Sequence, residues 1–192
     1  MNSLPNEMHP DIKNLYEYWC SIAPTSRLPG RQHFDPLDVP VLLPRLLLID
    51  VHREPLRFQH RLVGSKIEEF AGENLTDRRY ADRLAGSDLR RVENYLKRVV
   101  ELKQPSWRRG KPLIRWEKEY VELERLYLPL ARDGKTVDMI LAISVHSRQP
   151  MGEKPLANAR ADRIPSAVLG RSRKFVRRHL SPLLAGPRSV MA

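Results

Sequence analysis

The segment from Leu126 to Val145 constrains the fold of this chain most, because it contains the clearest hairpin in the sequence. Gly takes positive φ freely and Asp tolerates it better than most residues, so Asp133-Gly134 suits a tight turn between two strands. By the two-residue period of a strand, the second strand has two faces. One face carries Val137, Met139, Leu141, Ile143 and Val145, and the other carries Asp138, Ile140, Ala142, Ser144 and His146. Because both sets contain apolar residues, we expect both faces of the sheet to be covered.

The positive charge of the chain is concentrated at its C-terminal end. The 192 residues include 34 Lys plus Arg and 23 Asp plus Glu, and from Arg148 onward there are ten basic and two acidic residues. A chain of this length with 41% hydrophobic residues can form one domain with a real core. We therefore expect a domain at residues 1–147, followed by a basic linker and tail at 148–192.

Cysteine usage and hydropathy restrict the class of protein. The single cysteine, Cys20, excludes an intramolecular disulfide. The N-terminus lacks the layout of a signal peptide, and no apolar run approaches the roughly 20 residues that span a bilayer. These features predict a soluble, cytoplasmic protein.

The first predicted helix is amphipathic. From Asp11 to Ile22, apolar side chains recur at helical spacing, and Pro24 ends the pattern. We expect this helix to cover the outer face of the sheet, opposite Ile140 and Ala142, and to take part in a homodimer. The predicted dimer contacts are Ile12, Leu15, Tyr16 and Trp19.

The remaining patterns predict two strands, a short helix, a long helix and three more strands. The predicted strands are 46–51, 56–63, 107–116, 117–128 and 137–145, and the predicted helices are 66–71 and 87–103. Hairpins on both sides of a helical middle indicate an α+β domain with helices packed on one face of the sheet.

Several stretches in this order resemble a PAS domain, in particular a bacterial family of short single-domain PAS proteins common in alphaproteobacteria. The matching stretches are Tyr18-Trp19, LPGRQHFDP at 28–36, Leu42 to Pro44, RLVGS at 61–65, GENLT at 72–76 and LPLARDGKTVDMIL at 128–141. The family usually has a small residue after the Thr that matches Thr76, where this chain has Asp77.

This resemblance implies a five-stranded antiparallel sheet in the order 2-1-5-4-3, with helices on one face and the N-terminal helix on the other. PAS domains act as sensors. They hold a small molecule between the sheet and the helices, or pair with a partner protein through the outer face of the sheet, and pass on the change. A non-catalytic sensory or protein-interaction module in bacterial signalling is therefore expected.

Strand and helix phase, together with the resemblance, predict a small apolar ligand pocket with His60 as its polar group. The predicted lining is Phe58, His60, Leu62, Ile67, Phe70, Leu96, Val99, Leu141 and Ile143. A lone His on an apolar face is more often a hydrogen-bonded core residue than a ligand contact, so both interpretations of His60 stay open.

No cofactor is identified by the sequence, and haem and flavin are disfavoured. A PAS light sensor needs a reactive Cys after the second strand, whereas Cys20 lies in the first helix. A haem PAS sensor commonly uses a His on the long helix, and residues 87–103 contain none. No metal or enzyme motif is present, and Glu122 and Glu124 are interpreted as part of a solvated, charged strand.

The basic tail suggests an alternative function. Its cationic residues can neutralise phosphates of nucleic acid or contact an anionic membrane: Arg171, Arg173, Lys174, Arg177 and Arg178. In that case the domain would serve as the dimeric part of a regulator. A basic extension without a specific partner remains equally compatible with the sequence.

Overall fold

The computed structural model describes residues 7–110, 121–148 and 162–163. Its helices are α1 (Pro10–Ser21), α2 (Ser65–Ala71) and α3 (Gly86–Leu102). Its strands are β1 (Leu46–His52), β2 (Arg57–Val63), β3 (Ser106–Gly110), β4 (Val121–Leu130), β5 (Met139–Arg148) and the two-residue β6 (Asp162–Arg163). The α+β class and the order of elements are confirmed.

The strands form one antiparallel sheet in the order β2-β1-β5-β4-β3-β6. The five-stranded order 2-1-5-4-3 is therefore confirmed, and β6 pairs with the outer edge of β3. Residues 162 and 163 lie in the segment predicted to be a linker, and most of 148–192 lies outside the described residues. The domain boundary at residue 148 stays a prediction.

The turn between β4 and β5 forms as expected. The Asp133 carboxylate accepts hydrogen bonds from the backbone N–H groups of Lys135 (2.8 Å) and Thr136 (2.7 Å), and these bonds lower the pKa of Asp133 to about 2. Gly134 has a φ of 76°. The chain between α1 and β1 is held against this turn, because the Leu28 N–H donates to the Gly134 carbonyl at 3.1 Å.

Helix α1 covers one side of the sheet, which we call the outer face. The Trp19 indole N–H donates to the Pro129 carbonyl at 3.1 Å, and the His9 N–H donates to the Glu124 carboxylate at 2.9 Å. Ile12 and Leu15 are fully buried. Helix α1 therefore covers the outer face of the sheet as expected. The expected contact residues are wrong, because Leu141 and Ile143 lie on the α1 side, whereas Ile140 and Ala142 lie on the opposite side of the sheet.

Helices α2 and α3 lie on the opposite side, the inner face. Gly64 precedes α2, and a Cβ at this position would lie 2.4 Å from the Leu43 carbonyl oxygen. Gly64 is the N-cap of α2, which begins at Ser65, one residue before the predicted start at residue 66. Gly72 ends the helix with a φ of 69°, in the left-handed region that glycine adopts freely.

Among the described residues, no helix is long and apolar enough to cross a membrane.

Candidate functional site

A cavity of about 50 Å³ lies between the inner face of the sheet, helices α2 and α3, and the chain that connects them. Its apolar lining is Leu47, Ile67, Phe70, Leu75, Leu84 and Val92. Its polar lining is His60, Arg79, Tyr80, Arg83, Arg125, Tyr127, Ser144 and His146. The cavity can hold about four water-sized groups, because one such group needs roughly 10–15 Å³ of this space.

Backbone pairing between β2 and residues 77–79 holds one wall of the cavity in place. The His60 N–H donates to the Arg78 carbonyl at 2.9 Å, and the Asp77 N–H donates to the His60 carbonyl at 2.7 Å. Asp77 has a φ of 63°, a left-handed conformation that Asp tolerates better than most residues. The PAS family usually has a small residue at this position, and Asp77 can replace it because Asp tolerates the left-handed φ.

The hydrogen bonds of His60 determine which nitrogen of its ring carries the proton. Its Nδ1 lies 3.0 Å from the Arg78 carbonyl oxygen, which can only accept, so Nδ1 must donate. In the neutral ring, Nε2 is then an acceptor. Burial of the ring lowers the pKa of His60 to about 4, against a smaller opposing effect of the Arg78 carbonyl. His60 is therefore neutral at physiological pH.

His60 and His146 each contact another aromatic ring. The His60 ring lies 4.3 Å from the Tyr80 ring, and burial raises the pKa of Tyr80 above its ordinary value. His146 stacks on Phe70 with ring centroids 3.9 Å apart. Burial, assisted by the charges of Arg125 and Arg45, lowers the pKa of His146 to about 4. Both histidines thus contribute uncharged groups to the cavity.

Arg125 is the cationic residue that extends from the centre of the sheet into the cavity. Its Nε donates to the Ser144 hydroxyl at 3.3 Å, and one terminal nitrogen donates to the Tyr127 hydroxyl at 3.4 Å. Both distances exceed the usual 2.9–3.0 Å of an N–H···O bond, so these contacts are weak. Within the described ranges, no carboxylate lies at salt-bridge distance from Arg125.

The charge of the cavity wall is entirely positive. Three arginines line it and none of its lining residues is acidic. Arg83 forms a salt bridge of 2.8 Å with Glu73, whereas Arg79 is exposed at the solvent edge. The cavity therefore combines an apolar part with a polar wall whose formal charge is cationic.

Most of this chain matches the model of one known protein family. The family model of the PAS domain matches residues 7–145, which is most of the chain. The chain belongs to the PAS domain family. No curated protein and no solved structure matches it. PAS domains are sensory or interaction modules, and the inner-face cavity lies where the PAS resemblance predicts a ligand.

Three of the nine predicted lining residues line the inner-face cavity: His60, Ile67 and Phe70. Phe58 is buried on the inner face opposite Val51 but does not line the cavity. The assignment of Leu62 is wrong. A register shift between Leu48 and Ile49 inserts an extra residue in β2, so that Leu62 pairs with Leu48 on the outer face and is 47% exposed.

Leu141 and Ile143 are also assigned to the wrong face by the sequence pattern. They pair with Leu128 and Leu126 on the outer face, beneath α1. The alternate residues of β5 face the cavity side instead, and two of them, Ser144 and His146, line the cavity. The sequence predicts the alternation of side chains along β5 correctly but assigns its two faces to the wrong sides of the sheet. The strand is apolar on both sides, so its pattern does not indicate which side faces α2 and α3.

Helix α3 contributes differently from expectation. Leu96 is fully buried but does not line this cavity. Val99 lines a separate, smaller cleft of about 20 Å³ beside Gln104 and Pro105. Val92, one turn before Leu96, is the α3 residue in the cavity wall.

The sequence analysis missed the polar half of the site: Arg79, Tyr80, Arg83, Arg125, Tyr127, Ser144 and His146. A signal was present on β4, where Arg125 and Tyr127 alternate with the apolar Leu126 and Leu128. Polar residues at alternate positions of a central strand are expected to lie on a wet or functional face.

The predicted dimer contacts are buried in their own chain. Their side chains pack between α1 and the outer face of the sheet and are at most 5% exposed, so they offer almost no surface to a second copy in this conformation: Ile12, Leu15, Tyr16 and Trp19. A homodimer stays a prediction and would need other contact residues. The polyanion-binding residues Arg171, Arg173, Lys174, Arg177 and Arg178 lie outside the described residues.

Glu122 and Glu124 are not part of a solvated strand, so that interpretation is wrong. Both are 8% exposed on the outer face. Glu124 accepts a 2.7 Å hydrogen bond from the Trp107 indole, and Glu122 forms a 2.9 Å salt bridge with Arg109. Neither lines the cavity. No cluster of metal-ligand residues occurs in the described part of the chain.

Proposed function

We propose that this protein is a non-catalytic sensory module that binds a small molecule in the inner-face cavity. The observation that carries the proposal is the polar wall of that cavity, because its arginines and histidines surround an open space. The polar groups buried on the outer face, Glu122 and Glu124, are instead paired with Arg109 and Trp107. The outer face shows the contrast: Leu126, Leu128 and Leu141 have no exposed surface. A core that only stabilised the fold would be expected to place apolar side chains on both faces.

The chemistry of the cavity supports binding rather than catalysis. The lowered pKa values of His60 and His146, both about 4, make these rings weak bases at neutral pH. The Ser144 hydroxyl accepts a hydrogen bond from Arg125. Among the described residues, this hydroxyl has no hydrogen bond to a histidine or a carboxylate that could activate it as a nucleophile.

Passing on the signal requires a partner, and we infer that this is a second copy of the chain or another signalling protein. The connection between cavity and surface runs through residues 77–79, which line the cavity at Arg79 and are hydrogen-bonded to β2. A ligand that moves this segment would change an exposed part of the molecule, because Asp77, Arg78 and Arg79 are all exposed.

Native mass spectrometry of freshly purified protein tests the proposal directly. We expect a mass increment from a bound small molecule that is lost on denaturation, and the same spectrum reports a dimer. A cavity-filling variant, Val92→Phe, should lose the increment at modest stability cost. The proposal fails if the native protein carries no small molecule and no added metabolite changes its melting temperature.

A second candidate function rests on the charge of the C-terminal segment. The ten basic residues from Arg148 onward would let the protein act as a dimeric regulator that binds nucleic acid or an anionic membrane. Titration of fluorescent duplex DNA and of anionic vesicles at two salt concentrations distinguishes these partners. Arg177→Glu with Arg178→Glu should weaken binding to all DNA sequences alike, since phosphate contacts carry no base information. Absence of binding to both at low salt would contradict this function.

A further inference from the structure

We propose that the ligand of the inner-face cavity is a small organic anion, a carboxylate on a short apolar body, and that Arg125 pairs with its carboxylate. The inference rests on the proposed function, because it specifies the ligand of the same cavity. It differs from the apolar ligand that the sequence predicts by carrying a negative charge, because the lining contains Arg125 and no acidic residue.

The first argument is the incomplete pairing of Arg125. A guanidinium has five N–H donors and remains charged at any pH a protein tolerates. Within the described residues, its hydrogen bonds are those to Ser144 at 3.3 Å and Tyr127 at 3.4 Å. Charges removed from bulk water are normally paired with an opposite charge. A ligand carboxylate would supply that charge and two acceptor oxygens in the geometry that a guanidinium fits best.

The second argument is the surplus of positive charge beside Arg125. Arg108 lies directly opposite Arg125 on β3, so both are on the inner face. Like charges at such positions repel each other. The Arg108 guanidinium lies 3.2 Å from the centre of the Tyr95 ring, and its Nε is buried without a hydrogen-bond partner in the described structure. An anion bound at Arg125 would relieve this repulsion.

The third argument concerns the shape and chemistry of the rest of the cavity. The hydroxyls of Ser144 and Tyr127 accept from Arg125, so each retains an O–H that can donate to the same anion. Beyond this polar wall the lining is apolar, with Ile67, Phe70 and Leu75. Inorganic phosphate would leave that apolar part uncovered. About four water-sized groups fit in the 50 Å³, which matches a carboxylate on a short chain.

The test is a calorimetric titration of the full-length protein with acetate, propionate, butyrate and hexanoate, each beside its primary amide. The amide has the same shape without the charge. We expect one or more carboxylates to bind and their amides to bind at least about tenfold more weakly, since a charged hydrogen-bonded pair is lost. Arg125→Gln should reduce carboxylate affinity by a similar factor. The control Arg61→Gln, at an exposed arginine outside the cavity, should leave it unchanged.

Three results would overturn the carboxylate assignment: equal affinity for amide and carboxylate, unchanged affinity in Arg125→Gln, or no binding of any carboxylate in the series. If Arg125→Gln does not fold, the pair Ser144→Ala and Tyr127→Phe replaces it and should also weaken binding. A neutral molecule found by native mass spectrometry would overturn the carboxylate and keep the sensory function. Failure of both experiments would remove the sensory function as well.

Discussion

The two faces of the same central strands differ sharply in chemistry. On the outer face, Leu126, Leu128, Leu141 and Ile143 are completely buried beneath α1. On the inner face, the neighbouring residues of the same strands include Arg125, Tyr127, Ser144 and His146, which line a cavity. One face therefore stabilises the domain, and the other sacrifices some stability to hold polar groups around an open space. Successive residues of one strand can serve these separate roles because they point in opposite directions.

The largest expected effect is on the outer face. Leu141→Ala removes a fully buried side chain from a central strand, and we expect the free energy of unfolding to fall by about 3 kcal/mol, from lost transfer free energy and the cavity left behind. Urea denaturation followed by tryptophan fluorescence measures it. A loss below about 1 kcal/mol would show that the outer face is not the main source of stability.

The next effect is the pH dependence of the inner face. Burial lowers the pKa of His60 in the native state to about 4, from its ordinary value of 6.5, so between these pH values the unfolded chain binds a proton that the native state does not. Stability should therefore be full above pH 6.5 and decrease as the pH falls toward 4. From pH 6.5 to 5 we expect a loss of about 2 kcal/mol from this residue.

Denaturation at several pH values measures this loss, and His60→Gln should reduce the slope. The slope that remains would come from His146, whose pKa burial also lowers to about 4. The matched control is His52→Gln, at an exposed histidine on the end of β1, which should keep the wild-type slope. An equal slope in wild type and His60→Gln would mean that His60 is not kept neutral by burial.

A smaller effect is expected where α1 is fastened to the sheet. Trp19→Phe removes the indole N–H that donates to the Pro129 carbonyl at 3.1 Å, and leaves that carbonyl without this donor. We expect a loss of about 1 to 2 kcal/mol in the free energy of unfolding, measured by urea denaturation. An unchanged value would indicate that apolar contacts alone hold α1 in place.

The smallest effect on stability is expected at Ser144. Its hydrogen bond with Arg125 is long, at 3.3 Å, so Ser144→Ala should change the free energy of unfolding by less than about 1 kcal/mol. The same variant should weaken binding of the carboxylate of the series that binds most tightly. Thermal denaturation and calorimetry on one preparation give both values, and a large stability loss without an effect on binding would reverse the roles that we assign to the two faces.

The comparison of faces also shows how far the sequence can predict this fold. The Asp133-Gly134 turn and the period-two pattern around it identify the hairpin, and the order of elements leads to the sheet topology. The face assignment of β5 fails because Ile140 and Leu141 are both fully buried, so hydrophobicity does not distinguish the two sides. Only the tertiary arrangement of α1 and α3 decides which side encloses the cavity.

The candidate site is less predictable than the fold, for two physical reasons. The irregularity in β2 reverses the side of Leu62, and its position depends on pairing with β1, which no local pattern reports. Arg125 lies in an ordinary strand sequence, Glu124-Arg125-Leu126, without a motif. Its importance follows from what surrounds it: two hydroxyls, a second arginine on β3 and no carboxylate among the described residues within salt-bridge distance.

The central claim is that ligand binding is confined to the inner face. Methyl NMR of the protein labelled at Ile, Leu and Val, titrated with the carboxylate of the series that binds most tightly, tests it most directly because probes are present on both faces. We predict chemical-shift changes at Leu47, Ile67 and Leu84, which line the cavity, with Leu126, Leu141 and Ile143 on the outer face unchanged. Changes concentrated at the outer-face methyl groups, or no change with any carboxylate of the series at a saturating concentration, would contradict the account.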